Sequence, residues 1–192
     1  RIIVRLAAGT IKGMPTPIGH ALGGIAVGYA VGAWRARRDV GKDWLPIPWT
    51  GVGCSVLSLA TIGVLADIDL LFDIHRGLTH SVTATIVVGL TYGVIQKAGR
   101  FNAGITAFFA YGSHVLFDWC GVDTGPPSGV MAFWPVSEDY YQSSYLIFYR
   151  VCREYWDPAC WQNNVMALGW ELLVLVPVTV FAVLAHRRFN SG

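Results

Sequence analysis

Long apolar runs alternate with short polar breaks along this chain. Five runs stand out, at about 17–34, 52–72, 80–96, 102–119 and 166–185. Each has roughly the 17–25 residues that a membrane-spanning helix needs. A surface helix of a soluble protein would carry a polar face at a period near 3.6, and none of the five does. The pattern predicts an all-α fold, an integral membrane bundle of about five transmembrane helices. Its rival is a helical bundle buried in water. Glycines within the runs (Gly23, Gly24, Gly28, Gly32, Gly89, Gly93) suit helices that pack closely in lipid.

The stretch at about 120–165 breaks the pattern. It is an insertion rich in aromatic residues, among them Trp119 at its edge, Phe133, Trp134, Tyr140, Tyr141, Tyr145, Phe148, Tyr149, Tyr155, Trp156 and Trp161. Rings of this kind gather where water meets lipid. The expectation is an aromatic loop carrying one short amphipathic helix at about 139–154, lying on the membrane surface. It is either a simple aromatic belt or a lid that admits an amphiphilic substrate.

Composition supports the membrane reading. Of 192 residues, 54% are hydrophobic and 14% charged, against roughly 25% charged in soluble domains. The mean hydropathy is +0.48. The net charge of +2 is small, and Lys and Arg do not stripe a helix face, so nucleic acid is not an expected partner. Membrane lipid is. No cleavable signal peptide is evident. Residues 1–13 read as an N-terminal arm or extension and 14–192 as a single membrane domain, with Met14 resembling a natural start.

Basic residues orient the bundle. Arg35, Arg37, Arg38 and Lys42 follow the first run, Lys97 and Arg100 the third, and Arg187 and Arg188 the fifth. Such clusters mark cytoplasmic ends, and these fall on one side if every run spans once. His20, Asp67, Asp69, His75, His80, His114 and Asp118 then all arrive at the other side. Four of the five histidines are in that set. His186 lies alone on the inner side as an ordinary interfacial residue.

Imidazole and carboxylate at a lipid boundary are costly unless paired or bound to a cation. Their mixture suits a zinc-like divalent ion. His114 and Asp118 form HxxxD, and residues four apart share a helix face. Asp67 and Asp69 would point about 200° apart on an α-helix, so one is a ligand and the other orients a histidine, unless the helix unwinds or both pair with Arg76. The string His75-Arg76-Gly77-Leu78-Thr79-His80-Ser81 gathers two imidazoles, a guanidinium and two hydroxyls. Arg76 can clamp a phosphate or carboxylate. The string is otherwise a polar loop in which Thr79 or Ser81 caps the next helix. Asp73 reads as a solvent-exposed carboxylate. The cysteines show no metal-ligand spacing, although Cys152 and Cys160 are close enough in sequence for a disulfide.

Met14 to His20, Ala66 to Asp69, His75 to Ser81 and Ser113 to Asp118, with Gly121 to Pro135 behind them, resemble the LexA-regulated inner-membrane metal-dependent hydrolases (YdjM-like). The resemblance covers about residues 14–137. That family is in turn distantly similar to the all-helical zinc-dependent phospholipase C and P1 nuclease group. The resemblance implies a bacterial inner-membrane, multi-pass protein whose site faces the periplasm. It implies metal ligands at His20, Asp67 or Asp69, His80, His114 and Asp118, with one or two zinc-like divalent ions. It implies cleavage of a phosphoester or lipid-like substrate. The chain departs from the soluble enzymes in having no outer histidine after His114, so three ions are not expected.

The expected function is thus a membrane-embedded metal-dependent hydrolase, with Asp69, Arg76 and His75 as catalytic residues. The alternative is a non-catalytic structural subunit of a larger membrane protein complex, with a metal stapling the helix ends. A metal carrier would need polar groups at mid-membrane, where only Ser55, Ser58, Thr61, Thr85 and Thr91 are available.

Overall fold

A computed structural model describes residues 15–37, 55–72, 76–96, 100–123, 126–152 and 156–190. The described residues form five α-helices and no strand: α1 (Pro17–Arg37), α2 (Val56–Val64), α3 (Val82–Ile95), α4 (Arg100–Trp119) and α5 (Pro158–Asn190). Two 3-10 segments, Leu65–Phe72 and Leu78–His80, lie between α2 and α3. The expected arm at 1–13 lies outside the described residues, as do Asp73 and His75.

The first three helices start at a capping hydroxyl. Thr16 accepts the Gly19 N–H at 3.0 Å, Ser55 accepts the Ser58 N–H at 3.0 Å, and Ser81 accepts the Ala84 N–H at 3.0 Å. These bonds satisfy amides that have no partner within the first turn. Ser81 is therefore the cap of α3 that its string allowed.

α1 packs against α5, α2 and α4, and α3 packs against α4. Contacts from Thr16 to Glu171, Leu22 to Thr179 and Tyr29 to His186 show that α1 and α5 run the same way. α2 runs against α1, because Gly24 meets Gly63 while Gly28 meets Leu59. A β-carbon on Gly24 would stand 2.5 Å from the Leu59 carbonyl oxygen and 2.9 Å from the Gly63 Cα. The backbones touch there, as the glycine pattern anticipated. Leu59, Ile62, Ala66, Ala107, Ala110, Tyr111, Val115 and Val130 make the core.

The consequence for function is directional. The start of α1, the 3-10 segment after α2, the start of α3 and the end of α4 all meet at one end of the bundle. Arg35 and Arg37 end α1 and Arg187 and Arg188 end α5 at the opposite end.

Among the described residues one helix, α5, is long and apolar enough to cross a membrane. α3 is apolar but has only 14 residues, and α2 stops after nine. Leu90, Val94, Phe101, Leu173 and Phe181 point outward at 66% exposure or more. Water does not favour such a surface; lipid or a partner does.

One expectation fails. Residues 139–152 form no amphipathic helix. Their amides bond elsewhere: Tyr141 and Val130 exchange two bonds of 2.9 Å, Ser143 N–H reaches the Trp119 carbonyl at 2.9 Å, and Ile147 N–H reaches the Cys120 carbonyl at 2.9 Å. Long-range partners at the end of α4 thus replace the local ones a helix would use. The segment is an extended strap held by isolated bridges, Gly121 to Phe148 and Val130 to Tyr141. A disulfide joins Cys152 to Cys160, with Cα atoms 5.3 Å apart.

Candidate metal centre

His114 and Asp118 project from one face of α4, and both are fully buried. His20, also fully buried, comes from the first turn of α1 and stacks on His114, with ring centroids 3.6 Å apart and planes 12° off parallel. His80 ends the 3-10 turn before α3 and is fully buried too. Asp67 and Asp69 come from the 3-10 segment that continues α2.

That segment resolves the aspartate question. A 3-10 helix turns in about three residues, and the two carboxylates take opposite ends of one imidazole. Asp69 Oδ2 stands 3.1 Å from His80 Nδ1, while Asp67 Oδ1 stands 4.0 Å from His80 Nε2 and 3.5 Å from His114 Nε2. Asp69 also accepts the Thr79 hydroxyl at 2.8 Å. Asp69 thus stands on the Nδ1 side, where an orienting carboxylate would stand, and Asp67 stands on the Nε2 side.

The Nδ1 partners dictate which way each ring presents its lone pair. His114 Nδ1 is 2.7 Å from the Gly63 carbonyl oxygen, which can only accept, so Nδ1 donates. His80 Nδ1 donates to Asp69 by the same reasoning. Both Nε2 atoms then carry lone pairs, and they face each other at 3.1 Å. Asp118 Oδ2 adds a third donor, 3.0 Å from His80 Nε2 and 3.5 Å from His114 Nε2. Four ligand atoms around a tetrahedral ion at about 2.0–2.1 Å stand roughly 3.3–3.4 Å from one another. Five distances among His80, His114, Asp118 and Asp67, 3.0–4.0 Å, scatter about that value. As they stand, both Asp67 oxygens and Asp118 Oδ2 are buried with no aligned hydrogen-bond donor, although Asp67 Oδ1 and Asp118 Oδ2 lie within ion-pair reach of His114 and His80. Such orphans are costly. The donor set therefore fits a divalent cation, with His20 reaching Asp118 Oδ1 at 3.4 Å from the other side of the carboxylate.

Arg76 is where the structure departs most from the sequence reading. Expected as a clamp for a substrate anion, it is fully buried and bridges two protein carboxylates, Asp118 Oδ1 at 3.2 Å and Asp123 Oδ2 at 3.1 Å. It pairs with neither Asp67 nor Asp69. Its backbone sits at φ 50°, a region that costs a non-glycine residue energy. Asp123 went unnoticed in the sequence, as did Thr79 as a partner of Asp69. Asp123 is a single carboxylate in an aromatic loop, and only folding shows its partner.

Of the donors, only Asp67 reaches the surface, with 9% of its side chain exposed. Tyr140 of the strap lies within the field of Asp69; partial burial pushes its phenol up, and the carboxylate charge adds to the shift.

We expect Asp69→Asn to weaken divalent-ion binding about 10- to 100-fold, as loss of a ligand-orienting group does, with the fold retained. Zinc titration of the purified protein measures it, and unchanged affinity would remove Asp69 from the role.

A family model described as YdjM inner membrane protein matches residues 14–189. The chain belongs to the YdjM inner membrane protein family. Within this YdjM family member the match takes in α1 to α4, α5 up to its last residue, and every residue of the centre. Comparison with curated proteins finds no match, and comparison with solved structures finds none.

Proposed function

We propose that this YdjM family member is a metal-dependent hydrolase of the inner membrane, acting on a phosphoester or lipid-like substrate. The observation that carries the reading is the convergence of His80 Nε2, His114 Nε2 and Asp118 Oδ2 within 3.0–3.5 Å, with both rings set to present lone pairs. Two groups of this cluster, His20 with His114 and Asp118, and Asp67 with His80 and His114, each have the reach to hold an ion. One or two divalent ions, zinc by donor type, would be held there. When bound, such an ion supplies a Lewis acid and lowers the pKa of water in an open position.

The chain's own residues supply the rest. Asp69 and the Gly63 carbonyl fix the two rings. Arg76 holds the far oxygen of Asp118, so that the near one faces the histidines. Asp67, the donor at the surface, is placed to ligate or to take a proton from water. His75, carried in the sequence reading as catalytic, lies outside the described residues.

The five apolar runs are read as membrane passes, α2 together with its 3-10 continuation, with the centre toward the periplasm. The parallel run of α1 and α5, antiparallel to α2 and α4, supports that order, as does the basic end opposite the centre. The substrate class rests on the order of the His and Asp motifs along the chain, His20, Asp67 or Asp69, His80 and His114 with Asp118.

Full burial of His20, His80, His114 and Asp118 favours a second reading, a closed metal staple in a subunit of a larger membrane complex. Metal analysis of the purified protein beside a hydrolysis screen on aryl phosphate esters and phospholipids separates the two. The hydrolase reading expects bound divalent metal and turnover that a chelator stops and zinc restores. Metal present without turnover on any substrate supports the staple. A chain with no affinity for divalent ions sinks both.

A further inference from the structure

His20 is held unlike its neighbours. His80 and His114 each have an Nδ1 partner, whereas neither ring nitrogen of His20 makes a hydrogen bond within the protein. Its ring is placed by stacking on His114 and Phe117, by the approach of Asp118 Oδ1 at 3.4 Å, and by the backbone it hangs from. The position of the first turn of α1 therefore decides where its nitrogen points.

That turn is gripped from the far end of the sequence. Glu171, in the middle of α5, is fully buried in the helix most suited to crossing a membrane. Its Oε1 accepts the Thr16 N–H at 2.8 Å, and its Oε2 accepts the Thr16 hydroxyl. The same hydroxyl oxygen accepts the Gly19 N–H at 3.0 Å, and His20 N–H closes the turn on the Thr16 carbonyl at 3.0 Å. A carboxylate near a helix N-terminus is also favoured by the helix dipole. Glycine at 19 leaves the Glu171 carboxylate the room it occupies, since a β-carbon there would meet it. A buried acid in an apolar helix is expensive and calls for a purpose.

We propose that Glu171 is a positioning residue for the metal centre. By pinning Thr16 and the first turn of α1 it sets where His20 stands relative to Asp118 and His114, although it touches none of them. The proposal rests on the metal reading above and adds a residue to it.

Two measurements on the full-length protein in detergent test it, using Glu171→Ala, with Glu171→Gln as the milder variant should the first fail to fold. Amide exchange of α1 is the first. The Gly19 and His20 amides should lose protection by about tenfold or more while the amides of α4 do not, and unchanged exchange there overturns the grip. The second is Co(II) and Zn(II) affinity in a double-mutant cycle with His20→Ala. Loss of Glu171 should weaken binding about tenfold or more, the range for groups that orient ligands, and alter the visible spectrum of bound Co(II). In the His20→Ala background it should do neither. An equal loss in both backgrounds shows a merely structural role and overturns the proposal, as does no loss in either. A wild-type chain that binds neither ion refutes the metal reading itself, a result distinct from an uncoupled cycle.

Discussion

A chain carrying His114→Ala is expected to lose its divalent ion and its turnover while most of it still folds. His114 belongs to both candidate ligand groups, one shared with His20 and Asp118, the other with Asp67 and His80. Its Nε2 lies 3.1 Å from that of His80 and 3.5 Å from carboxylate oxygens of both Asp67 and Asp118. Orienting groups alone cost 10- to 100-fold when removed, so a shared ligand should cost more than about 100-fold in affinity. The same change leaves the Gly63 carbonyl without its donor, a penalty of about 1–3 kcal/mol for a buried group. His114→Asn separates the two effects. Its amide can still donate to Gly63, yet it offers nothing where Nε2 stood. Metal should be lost in both variants, and stability mainly in the alanine variant. Metal content by elemental analysis, read beside turnover and thermal unfolding, checks this. Full activity in His114→Asn and in His80→Ala together would refute the centre.

The five helices were legible because long apolar runs have a simple outcome. Apolar runs of spanning length become helices, and four of the five runs became helices covering most of their length. The second run shows the limit. Its apolar content says nothing about pitch, and after Val64 the chain tightens into 3-10 turns through Asp67 and Asp69. That tightening decides which carboxylate orients and which faces the donors. The HxxxD pair was readable because its geometry is local to one helix. The strap was not, since the same aromatic residues serve an amphipathic helix or an extended segment, and the choice lay with carbonyls at the end of α4. Glu171 and Asp123 were invisible for a related reason: their partners, Thr16 and Arg76, lie 155 and 47 residues away. A single acid in the last apolar run was the one available signal.

The largest loss of stability is expected from Arg76→Ala. The guanidinium lies between Asp118 and Asp123, with no exposed side-chain surface on any of the three. Removing one partner of a buried ion pair costs about 3–5 kcal/mol, because the charge left behind has neither water nor counterion. Here two carboxylates are left, although a bound cation would still face Asp118. The backbone sharpens the point. Arg76 is the one non-glycine residue with positive φ among those described, so it occupies this turn despite the strain. Relief of that strain cannot offset the charge, since alanine is strained there as well. Lysine should rescue poorly, because a single ammonium cannot reproduce a planar fork set between two carboxylates. Asp123→Asn, which leaves Arg76 paired with Asp118, should cost much less than Arg76→Ala. Denaturant unfolding of the metal-loaded protein in detergent reads the order wild type, Asp123→Asn, Arg76→Lys, Arg76→Ala. An Arg76→Ala chain as stable as wild type, and still binding zinc, would show that the guanidinium does not hold Asp118 in place.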